Sequence, residues 1–78
     1  MDKYGVILFQ TSSAAMQAEA ILLKADLKVK LIPTPRELSS DCGISLRFDW
    51  EFLDKVQSFQ ENGRLNAVGI YPLPGGEK

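Results

Sequence analysis

The sequence predicts an α+β domain of four strands and two helices in the order β-α-β-β-α-β. Three observations lead there. Short runs rich in β-branched and aromatic residues recur at Tyr4–Phe9, Lys28–Pro33, Ile44–Phe48 and Ala67–Tyr71. The stretches after Thr11 and after Asp49 place apolar residues at helical spacing. A chain of 78 residues has room for one domain, residues 1–78, and a thin core.

Taken in order, Tyr4–Phe9 (YGVILF) is short and apolar, the pattern of a buried strand. Thr11-Ser12-Ser13 then offers N-cap residues. Ala15, Ala18, Leu22 and Ala25, flanked by Ala14 and Ile21, form the stripe of a helix, and a stripe made largely of alanine lets it lie close on a sheet. Asp26 stands where a left-handed stop is expected, a place Asp tolerates in lieu of Gly or Asn. Lys28–Pro33 alternates, with Val29 and Leu31 opposite Lys28, Lys30 and Ile32, as in a half-exposed strand. In Ile44–Phe48, Ile44, Leu46 and Phe48 share one face, Ser45 and Arg47 the other. Asp49 is expected to cap a second helix, about Trp50–Asn62, with Phe52, Leu53, Val56 and Phe59 as its stripe. Trp50 falls outside that stripe and reads as a local lid over the helix start. Asn62-Gly63 is a helix stop. Ala67–Tyr71 is the last strand. The ordered core is expected over about residues 3–72, with a flexible tail at 73–78.

Two split β-α-β units in this order usually build a four-stranded antiparallel sheet with both helices on one face, the ferredoxin-like plan. The other face is then open. Arg47, Ser45, Lys30 or Ile32, and Tyr71 or Ile70 are its candidate residues. A face of mixed apolar and charged groups suits a homodimer interface or a ligand floor; a plain solvated face is the alternative.

Composition narrows the function classes. Nine basic and ten acidic residues give a net charge of −1, without the basic excess of a nucleic-acid surface. The longest clear apolar run, Val6–Phe9, is far too short to span a membrane. No signal peptide is visible, so a cytoplasmic location is expected. One cysteine makes no internal disulfide. The absence of histidine removes His-dependent triads, His–Cys dyads and most transition-metal sites, so neither a cofactor nor a metal is expected. Asp49, Glu51 and Glu61 read as helix capping and surface charge. No Gly-rich phosphate loop is present.

Pro33–Gly43 (PTPRELSSDCG) is the segment built for chemistry. A hairpin needs only two to five residues to join two strands, so a longer connection calls for a reason. Thr34-Pro35-Arg36-Glu37 has the form of a capping box with Pro at the first helical position, which predicts a helical turn. Ser39, Ser40 and Asp41 offer short polar side chains to nearby amides, and Gly43 a permissive backbone. Cys42 lies just before the next strand. A thiol reacts as its thiolate, which a neighbouring cation or amide favours and a carboxylate opposes. Arg36 is the nearest cation in sequence, Arg47 a second from the adjacent strand, and Asp41 works against them. A lone cysteine is more often an inert core residue; the polar context here argues for exposure.

At Pro35-Arg36-Glu37-Leu38-Ser39-Ser40, then Cys42-Gly43, then Leu46-Arg47-Phe48-Asp49, the chain resembles the selenium/sulfur carrier-like proteins, a family of small bacterial proteins. The resemblance extends from Tyr4 to about Tyr71. Asp41 departs from it where a small polar residue is expected, and Asp26 where Gly is expected. The resemblance implies a sulfur or selenium carrier. In that reading Cys42 holds the cargo as a persulfide or selenopersulfide. Arg36, Ser39, Ser40, Gly43 and Arg47 surround the bound anion, and donor and acceptor proteins are the partners. Such a chain is a carrier or binding protein rather than a stand-alone enzyme. The alternative is a non-catalytic ligand-binding or protein-interaction module, in which Cys42 only packs.

Overall fold

A computed structural model describes residues 4–35, 38 and 43–73. It has strands β1 (Tyr4–Phe9), β2 (Val29–Pro33), β3 (Ile44–Asp49) and β4 (Ala67–Pro72), and helices α1 (Ser12–Lys24) and α2 (Leu53–Glu61). The strands form one antiparallel sheet in the order β2-β3-β1-β4. Among the described residues no helix is long and apolar enough to cross a membrane.

Each helix begins and ends on local chemistry. The Thr11 hydroxyl accepts the Ala14 N–H at 3.1 Å, the N-cap bond expected of Thr-Ser-Ser. At the far end Asp26 adopts φ 67°. The Leu27 N–H returns to the Leu22 carbonyl and the Asp26 N–H to that of Leu23, a Schellman closure that drops Leu27 into the core. The same closure ends α2. Gly63 has φ 74°, Arg64 N–H reaches the Phe59 carbonyl, and the buried Leu65 follows. Ala25 was expected in the α1 stripe but is exposed, because the helix has already ended when the chain reaches it.

The start of the second helix also differs from expectation. Trp50–Phe52 form a 3₁₀ turn, α2 begins only at Leu53, and the Asp49 side chain makes no capping bond. Asp49 is still in the β3 ladder, paired with Tyr4, and strand alternation turns its side chain away from the helix start. Trp50 stacks on Phe48 with ring centroids 5.9 Å apart.

One cluster unites the core. Ile7 and Phe9 of β1 and Leu46 and Phe48 of β3 pack with Ala15, Ala18 and Leu22 of α1 and Val56 of α2. Phe52, Leu53 and Phe59 close over it. Alternation sends Val6, Leu8, Ser45 and Arg47 to the opposite face, where the register pairs Val6 with Arg47 and Tyr71, and Leu8 with Ser45. Lys30 and Ile32 both belong to that face, opposite Arg47 and Ser45. Tyr71 is there too, whereas Ile70 lies against the core.

Two details fix the edges. Between Leu8 and Phe9 the β4 register shifts past Val68, and the Gln60 side chain takes both the N–H and the carbonyl of Ala67 at 3.4 and 3.3 Å. The sheet also continues one residue beyond Pro72. Leu73, expected in the tail, donates its N–H to the Tyr4 carbonyl at 2.9 Å. The rest of that tail lies outside the described residues.

Candidate functional site

The long connection springs from a closed stem. Pro33 pairs with Ile44, and beyond that pair the Thr34 N–H donates to the Gly43 carbonyl at 3.0 Å. The hydroxyls of Thr34 and Ser45 lie 2.7 Å apart. Ser45 is fully buried, so this contact satisfies a hydroxyl that has no water to turn to. Within the loop the Leu38 N–H donates to the Pro35 carbonyl at 3.0 Å; the helical turn expected from the capping-box pattern falls on residues outside the described ones. The chain therefore leaves the sheet at Thr34 and rejoins it at Gly43, with both ends held by hydrogen bonds.

Strand directions say what else shares that end of the sheet. β1 finishes there, and the N-terminus of α1 follows it at Ser12. β4 starts there, beside Gln60. Gly43 is exposed at this end. Arg47 is not at this end. It lies four residues along β3, about 13 Å at strand rise. Its guanidinium sits over the Tyr4 ring, 4.4 Å from the centroid, and Tyr4 begins β1 at the far end of the ladder. Arg36, Ser39, Ser40 and Cys42 lie outside the described residues, as does Glu37 of the capping box. Among the described residues no group of three or more His, Cys, Asp or Glu side chains is arranged to hold a metal ion.

The comparison with protein families bears on the whole of this architecture. Residues 4–72 match the family model described as "Putative Se/S carrier protein-like". The chain belongs to this family. The matched span takes in the sheet, both helices and the complete loop from Thr34 to Gly43. Neither the curated proteins nor the solved structures contain a match.

For this Se/S carrier-like protein, the stem pair Thr34–Ser45 and the ring of Tyr4 are the contributors that sequence reasoning missed. By sequence alone Thr34 is a helix cap, and Ser45 only a residue on the Arg47 face. Nothing local in the sequence brings their hydroxyls together, because the contact exists only once β2 and β3 are in register.

Proposed function

We propose that the chain carries sulfur or selenium on Cys42, as a persulfide or selenopersulfide, between a donor and an acceptor protein. The family match over residues 4–72, which includes Cys42 and its loop, carries this reading. The stem supports it. A carrier thiol has to meet two partners in turn, and a connection pinned at both ends is a suitable mount.

The chemistry balances without an external oxidant. The Cys42 thiolate attacks the terminal sulfur of a donor persulfide. A sulfur–sulfur bond forms on Cys42 as the donor's own bond breaks, and the donor leaves as a thiolate. An acceptor nucleophile then attacks the terminal sulfur, and the Cys42 thiolate departs. Arg36 offsets the anion's charge, and Ser39, Ser40 and the Gly43 backbone donate hydrogen bonds to it. The lone thiol fits a cytoplasmic protein, where thiols stay reduced.

The strand order and the shared core cluster support a ferredoxin-like plan as the scaffold for this loop. In that plan the face of Lys30, Arg47 and Tyr71 stays free of helices and available to a partner.

The test is a mass measurement after incubation with a cysteine desulfurase and cysteine. Wild type is expected to gain one sulfur that a thiol reductant removes, and Cys42→Ser to gain none. No addition to wild type, or equal addition to both, overturns the proposal.

A further inference from the structure

We propose a second site, separate from the thiol: a groove on the sheet face opposite the core binds an oxyanion, the phosphate or carboxylate group of a small ligand, through Lys30 and Arg47. The groove has a volume of about 430 Å³ and is lined by Tyr4, Lys28, Val29, Lys30, Arg47, Phe48 and Asp49. This inference does not rest on Cys42.

The charge arrangement is the first argument. Lys30 and Arg47 are direct cross-strand partners, so two cations face each other across neighbouring strands. Like charges so placed repel, and a fold gains nothing from them alone. The same register continued by two residues sets Lys28 level with Asp49, the one carboxylate among the lining residues, so three cations share the groove with a single acid. Among the described residues neither Lys30 nor Arg47 forms an ion pair. General basicity does not explain the cluster either, because the chain as a whole is net negative.

Pre-organisation is the second argument. Arg47 is half-buried, and its guanidinium is held over the Tyr4 ring at 4.4 Å. A guanidinium held against a ring by a cation–π contact still has N–H donors with which to bond an oxyanion. Lys30 is exposed beside it, a mobile point charge that closes on the same anion. A second copy of the chain is a poor occupant. A two-fold contact through this groove sets Lys30 and Arg47 near their own equivalents.

The experiment uses the ¹⁵N-labelled full chain, titrated with inorganic phosphate and separately with acetate, at an ionic strength held constant with sodium chloride. Saturable shifts are expected at the Arg47 Nε–H and at the backbone amides of Lys30 and Arg47. The stronger of the two probes identifies the phosphate or the carboxylate as the source. Arg47→Met is expected to raise the apparent Kd about tenfold or more, the loss of a charge-assisted hydrogen bond. Lys30→Met, at an exposed position, is expected to weaken binding in the same direction and keeps the test open should Arg47→Met unfold. Lys24→Met removes the same charge from α1, outside the groove, and should leave the Kd unchanged. Linear, non-saturating shifts with both probes overturn the proposal. So does a Lys24→Met effect equal to that of Lys30→Met, which marks a response to net charge alone.

Discussion

Gly5→Ala tests the most crowded glycine among the described residues. Gly5 is buried in β1 opposite Phe48. A Cβ built there would meet Phe48 Cε1 and Trp50 Cε3, each at 2.6 Å, where ordinary contact begins at 3.4 Å. The two rings would have to retreat by most of an ångström. Phe48 is 1% exposed and locked in the core cluster, so it has nowhere to go. Trp50 is half-buried and gives way first, which breaks its stacking on Phe48. Overpacking of this kind costs about 1–3 kcal/mol, and an aromatic pair contributes about 0.5–1.5 kcal/mol beyond its buried area. Alanine returns about 0.4–1 kcal/mol by restricting the unfolded chain. The expected net loss is about 0.5–4 kcal/mol. With a urea slope of about 1 kcal/mol/M for so small a domain, the midpoint falls by about 0.5–4 M. Trp50 is the only tryptophan, so its fluorescence follows both unfolding and the native ring environment. A midpoint within about 0.3 M of wild type, with unchanged native emission, would refute the packing argument, since that shift is near the accuracy of the extrapolation.

Two further outcomes follow from backbone details. Gln60→Ala removes both side-chain bonds to Ala67 and leaves the start of β4 tied only through the β1 ladder. Hydrogen exchange at the Ala67 amide should accelerate, with a stability loss of about 1 kcal/mol; unchanged protection there would show that the bulge holds itself. Asp26→Gly should raise thermal stability by about 0.5–1 kcal/mol, because Gly takes φ 67° without a Cβ penalty. Asp26→Ala should lack that gain, and equal melting temperatures for the two variants would contradict the left-handed assignment.

Local chemistry was legible, and that accounts for how much of the architecture could be read in advance. Thr11 as a cap, Asp26 and Gly63 as left-handed stops, and the stripes of Ala15, Ala18, Leu22 and Val56 all follow from neighbours within one or two helical turns. The second helix start failed for a local reason hidden by a tertiary one. Asp49 is a good cap residue, but β1 keeps it in the ladder opposite Tyr4. At the candidate site, the length and polarity of Pro33–Gly43 singled out the loop, and Cys42 stood out as the sole thiol.

By itself, then, the sequence determined the element order, the alternation of faces along β2 and β3, the helix stops and the segment bearing Cys42, because each is a matter of periodicity or of one residue's backbone preference. Only the tertiary structure decided which strands are neighbours and in what register. From that register come the Thr34–Ser45 contact that closes the loop, the two rings that leave no space beside Gly5, and the cation–π contact of Arg47 with Tyr4 far from Gly43. These contacts join residues distant along the chain, and no local pattern encodes a pairing whose partners meet only after the sheet has formed.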